Sequence, residues 1–137
     1  MPKIFQMLFG AAALTLVATT PTSPATAARA DPDAELQRLL EGRAAGKPID
    51  CISLPNVTGN TIVTGRAVVY RIGTRLYVNV PPEGAKQLNR DDIIVTRTFG
   101  SNLCRGDIIR LLDRTSTIPH GFVALGQFVP YTKPRSD

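Results

Sequence analysis

A single histidine, His120, limits the acid–base chemistry open to this chain near neutral pH. It stands in Pro119-His120-Gly121, a run of residue types that favours a turn. Ser116 is the neighbouring hydroxyl that would serve as nucleophile, and Asp113 the neighbouring carboxylate that would orient the ring. A serine nucleophile needs its base held by a third group, and nothing in the chain resembles a nucleophile elbow. Asp91-Asp92 supplies adjacent carboxylates, but neighbours on a strand project to opposite faces, so the pair reads as a turn leading into Ile93. No run of oxygen-bearing residues has the spacing of a Ca²⁺ loop. Gly42-Arg43-Ala44-Ala45-Gly46-Lys47-Pro48 has a superficial likeness to a phosphate loop. Three residues separate its glycines where four are required, Pro48 stands where Ser or Thr would, and no strand precedes it. These patterns give no catalytic, metal or cofactor set.

Cys51 and Cys104 carry the remaining chemistry. Without a histidine pair they cannot complete a zinc site, and they lack the Cys-x-x-Cys spacing of a dithiol redox motif. Their state depends on the compartment, and the N-terminus speaks to that. Lys3, the apolar run Ile4 to Ala18, the breakers Pro21 and Pro24, and the small-x-small sites Ala25-Thr26-Ala27 and Ala28-Arg29-Ala30 read as a signal peptide over residues 1–30. The apolar run is shorter than the roughly 20 residues of a membrane span. The expectation is therefore an exported protein, periplasmic or secreted, with no membrane insertion after cleavage. In an oxidising compartment Cys51 and Cys104 are expected as one disulfide. That bond would close a loop of about fifty residues and constrain the unfolded chain by roughly 4 kcal/mol. Arg105-Gly106-Asp107 matches an adhesion tripeptide but reads as a turn feeding Ile108. Asn56-Val57-Thr58 is a glycosylation sequon, meaningful only in a eukaryotic host.

Sixteen Lys and Arg face eleven Asp and Glu, a net charge of +5. Lys3 and Arg29 precede the expected cleavage sites, which leaves a mature charge of +3. Arg66, Arg71, Arg75, Arg90, Arg97, Arg105, Arg110 and Arg114 are spread along the chain beside apolar residues rather than gathered with aromatics. That pattern argues against a nucleic-acid binder.

The elements that must position these groups change character at Pro48. Asp31-Pro32-Asp33-Ala34-Glu35 combines an N-cap, a first-turn proline and first-turn acids, and Leu36, Leu39 and Leu40 follow at helical spacing. The spacing predicts a short amphipathic helix over about residues 32–45 within an N-terminal segment, 31–47. Residues 48–131 read as a disulfide-stapled β domain, and 132–137 as a polar tail. Short β-type runs begin at Ile49 and Thr61. Arg66 to Ile72, Gly73-Thr74 and Arg75 to Val80 form a hairpin with a type II′ turn. Its register sets Tyr70 opposite Tyr77 and Val69 opposite Val78. Ala67, Val69, Leu76, Val78 and Val80 make the expected core face, and Val68, Tyr70, Tyr77 and Asn79 a mixed, half-exposed one. Asp92 to Phe99, Asp107 to Asp113 and Gly121 to Val129 complete the strands. The fold class is mainly β: a small antiparallel curled sheet or barrel-like domain with one short N-terminal helix.

Four stretches carry a resemblance: Gly46 to Leu54 (Gly-Lys-Pro-Ile-Asp-Cys-Ile-Ser-Leu), Leu76 to Asn79, Phe99 to Asp107 (Phe-Gly-Ser-Asn-Leu-Cys-Arg-Gly-Asp) and Leu125 to Tyr131. In these the chain resembles a family of small exported Gram-negative bacterial proteins classed as a domain of unknown function. The resemblance implies no activity. It implies a four-cysteine pattern in which Cys51 and Cys104 match two positions and Ala85 and Val123 fall near the other two. The functional expectation is a non-catalytic binding or interaction domain whose partner is an envelope or extracellular component. The alternatives are a small hydrolase using His120 with Asp113 or Ser116, and a basic surface for an anionic glycan or lipid on which Arg71, Arg75 and Arg97 converge.

Overall fold

Asp31 starts the first element by accepting the Asp33 N–H at 3.0 Å through Oδ1, with Pro32 at the first helical position. In the computed structural model, which describes residues 30–135, helix α1 then runs Pro32–Leu39. The signal peptide expected over residues 1–30, including Ile4 to Ala18, lies outside the described residues except for Ala30. The helix stops short of residue 45 because Gly42 turns at φ +71° and the next residues pair in a sheet. Ala44–Ala45 form β1, opposite Thr132 and Tyr131, while Arg43 Nη1 donates to the Thr74 carbonyl at 2.7 Å.

The remaining strands are β2 (Cys51–Ser53), β3 (Val57–Val63), β4 (Ala67–Ile72), β5 (Arg75–Asn79), β6 (Asp92–Thr96), β7 (Asn102–Cys104), β8 (Ile108–Asp113), β9 (Pro119–Ala124) and β10 (Phe128–Thr132). They form three antiparallel sheets, ordered β1-β10-β5-β4-β3, β2-β7 and β6-β8-β9. The β character is as expected. The curled or barrel-like form is not: no sheet among the described residues closes or curls into a barrel.

The β4–β5 hairpin has the expected register, Tyr70 to Tyr77 and Ile72 to Arg75, with Gly73 at φ +59°. Its faces need correcting, because both are buried. Val69, Leu76, Val78, Ala67 and Val63 pack under Leu36 and Leu39 of α1 and its C-cap Leu40, which explains why the helix docks. Val80 is excluded from this cluster and 41% exposed. The face expected to be half exposed meets the main core instead. There Val68 and Tyr70 pack with Phe128, with Ile109, Leu111 and Val123 of the three-stranded sheet, and with Ile52 and Leu103 of the two-stranded one. Tyr70 lies edge-on to Phe128, ring centres 5.9 Å apart.

The expected final strand, Gly121 to Val129, is two strands in different sheets. Leu125-Gly126-Gln127 carries the chain across, and the buried side chain of Asn79 fixes the crossing. Its Nδ2 donates to the Gly126 carbonyl at 2.8 Å, and its Oδ1 accepts the Gly126 N–H at 2.9 Å. A Cβ at position 126 would stand 2.9 Å from the Val80 carbonyl oxygen, so only glycine fits. Cys51 and Cys104 are bonded, facing each other across β2 and β7 with Cα atoms 4.0 Å apart. Arg105 N–H donates to the Asp50 carbonyl and Leu54 N–H to that of Ser101, which sets the cysteines at a non-hydrogen-bonded pair, where side chains approach most closely.

Two outcomes follow. Asn79→Ala leaves the Gly126 amide and carbonyl buried and unpaired, and should lower unfolding free energy by about 2–4 kcal/mol in urea titration. Tyr70 Oη is buried without a partner among the described residues, and burial pushes its phenol pKa up. Tyr70→Phe should therefore hold stability or raise it by about 1 kcal/mol; a larger loss would show that the hydroxyl has a partner.

Candidate functional site

His120 lies on β9, not in the turn its neighbours favour. Leu111 of β8 faces Gly121 and Leu112 faces Pro119, so His120 is the extra residue of a β-bulge. Its Nε2 stands 2.8 Å from Asp92 Oδ1. Asp92 begins β6 and is buried, and its Oδ2 accepts the Asn89 N–H at 3.1 Å. Asp91 is exposed, so the adjacent carboxylates do separate. Because β8 lies between β6 and β9, the histidine and aspartate clip the outer strands together across the middle one.

The expected partners of His120 are engaged elsewhere. Ser116 Oγ donates to Asp113 Oδ1 at 3.0 Å, beside the N–H groups of Ser116 at 2.7 Å and Thr115 at 2.9 Å. These bonds, the Ser116 N–H first among them, hold the Asp113 carboxyl below the ordinary aspartate range. Asp113 thus organises the β8–β9 turn, and the Ser116 hydroxyl serves that turn. Next to Asp92, a groove of about 300 Å³ is lined by Glu35, Asn60, Thr61, Arg90 and Arg114. Arg90 pairs with Glu35 at 2.7 Å, and Arg114 Nε donates to the Asp91 carbonyl at 3.1 Å. The pair could move a proton, but the nucleophile expected beside it is held at Asp113. Among the described residues, no group of three or more His, Cys, Asp or Glu is placed to hold a metal ion.

The core side of the three-stranded sheet holds Ile109, Leu111 and Val123. Strand alternation sends Ile108, Arg110 and Leu112 of β8 to the other side, with Ile93 and Val95 of β6 and Phe122 of β9 as their ladder neighbours. Ile108 and Phe122 are each 57% exposed, and the Arg110 guanidinium lies 5.3 Å from the Phe122 ring centre. A sheet with one wet face should alternate apolar and polar. Ile108-Ile109-Arg110-Leu111-Leu112 does not. That doubled pattern is the sequence signal for apolar side chains on both sides of the strand.

The other candidates resolve structurally. In Arg105-Gly106-Asp107, Gly106 takes φ +89° and Asp107 Oδ2 accepts the Cys104 N–H at 2.7 Å, so the triplet is a turn. Arg71 pairs with Leu76 and Arg75 with Ile72, which puts the two arginines on opposite faces of the hairpin, and Arg97 follows β6 in another sheet. The three do not converge. Ala85 and Val123 both contribute to the main core, and Glu83 bridges to Ala124, so the segment holding Ala85 runs against β9.

Comparison with protein-family models, with curated proteins and with solved structures finds no match for this chain.

Proposed function

We propose that this chain is an exported, non-catalytic domain that binds another component of the bacterial envelope through the outward face of β6, β8 and β9. The observation that carries the reading is the apolar side of that sheet, where Ile108 and Phe122 stay more than half exposed although the opposite side already fills the core. Soluble domains rarely leave contiguous apolar surface uncovered without a use for it. The Cys51–Cys104 bond fits an oxidising compartment, as export requires. The hydrolase reading keeps one supporting observation, the His120–Asp92 pair, and lacks a nucleophile held at the ring.

One experiment separates the two. Mature domain is added to washed envelope fragments of a Gram-negative bacterium and sedimented. Phe122→Asp puts a charge on the outward face without touching the core, and should lower the bound fraction at least fivefold. His120→Gln keeps a donor for Asp92 while removing the base, and should bind as the parent does. Equal binding by Phe122→Asp, or loss in His120→Gln alone, would move the working site to the Asp92 groove.

A further inference from the structure

β3 is the last strand of the five-stranded sheet, and no strand among the described residues pairs with its outer edge. Phe128 fixes the phase of the ladder. It spends both its N–H and its carbonyl on Ile49, so it makes no bonds to Asn79 opposite. Bonded and unbonded pairs alternate along and across an antiparallel sheet. Asn79 therefore bonds Val68, and Tyr77 bonds Tyr70, which leaves Ile62 and Asn60 of β3 in unbonded pairs with β4. Their N–H and carbonyl groups point outward, and no group among the described residues takes them.

Two other edges are guarded. β1 is two residues long, and β9 carries Pro119, the His120 bulge and the bridge from Glu83. β3 reads Val57-Thr58-Gly59-Asn60-Thr61-Ile62-Val63, without charge or proline, and Thr58 to Thr61 are exposed. A groove flanks each side of it. Leu39, Val69 and Leu76 floor one of about 130 Å³ beside Thr61. The other, of about 300 Å³, runs from Asn60 and Ile62 to Arg90 and Arg114.

We propose that the β3 edge receives an extended segment of a second polypeptide, which adds a strand to the sheet by pairing with Asn60 and Ile62. Main-chain bonds make the attachment, and side-chain alternation sets the preference. The residue opposite Thr61 enters the Leu39 groove and is apolar, while its neighbours face the side of the Arg90–Glu35 pair and are polar. A second copy of this chain fits less well. In a two-fold pairing of β3 with itself through these outward groups, Gly59 or Thr61 of the copy stands opposite Thr61, and neither fills an apolar groove. The edge shares no residue with the outward face of β6, β8 and β9, so a domain held there on an envelope component keeps the edge open.

The test uses the mature domain and a capped peptide, Ser-Val-Ser-Val-Ser-Val-Ser, followed by amide NMR. Saturable shifts and slowed hydrogen exchange are expected at the Asn60 and Ile62 amides. Serines stand opposite these residues, so N-methylation of the serine amides should weaken binding about tenfold or more. The valine amides point away from β3, and their N-methylation should change binding by less than about twofold. Equal loss from both, or loss from methylation at valine alone, would overturn the strand pairing. So would the absence of shifts at Asn60 and Ile62 with millimolar peptide. Asn60→Pro removes one outward donor, spares the β4 bonds and should weaken binding about fivefold; should that variant not fold, the methylated peptides decide on the parent protein. Phe122→Asp should bind the peptide as the parent does, and its failure would overturn the assignment to β3. Loss of peptide binding with envelope capture intact would sink this inference alone and leave the proposed function standing. Concentration-dependent self-association abolished by Asn60→Pro, without peptide binding, would give the edge to a second copy and overturn it.

Discussion

The fold depends on one buried amide. The chain leaves the three-stranded sheet at Ala124 and enters the five-stranded one at Phe128, and the residues between must cross a dry interior with their backbone groups paired. Asn79 matches both groups of Gly126, and the missing side chain at 126 lets Val80 come close. Leu125 is held from the other side, donating to the Asp107 carbonyl and accepting from Gly106, each at 2.9 Å. Phe128 then exchanges two 2.8 Å bonds with Ile49, just ahead of Cys51. Residues from Gly46 to Leu54, Leu76 to Asn79, Phe99 to Asp107 and Leu125 to Tyr131 thus meet at one crossing, and the disulfide locks the strand pair beside it.

What the sequence made legible was local. The II′ hairpin, the Asp31 cap and the Cys104-Arg105-Gly106-Asp107 turn depend on neighbours a few residues apart, and each formed as its residue types require. What stayed hidden required a partner distant in sequence. Both faces of the β4–β5 hairpin are apolar enough to be core, and only the docking of α1 on one side and the second sheet on the other decides their neighbours. Gly126 breaks the last strand through its approach to Val80, which no spacing rule encodes. The Asp92–His120 pair spans 28 positions, and the bulge that turns the ring toward Asp92 leaves no mark in composition.

This scaffold separates two roles that a chemistry-first reading would merge. The histidine, the best candidate for catalysis, joins two outer strands at one end of a sheet, with its carboxylate partner anchored by the Asn89 amide. Ile108 and Phe122, both more than half exposed, lie on the other face of that sheet, with Arg110 over the Phe122 ring. Core packing beneath β8, through Ile109 and Leu111, fixes the backbone from which Ile108, Arg110 and Leu112 project in one row.

The most direct measurement of that claim is hydroxyl-radical footprinting of the mature domain, free and bound to washed envelope fragments. Side chains covered by the partner lose reactivity, whatever its chemistry. The account predicts protection at Ile108 and Phe122, with His120 and Leu39 unchanged. Protection confined to His120 and the α1 side of the molecule, with Phe122 as reactive as in the free protein, would contradict it.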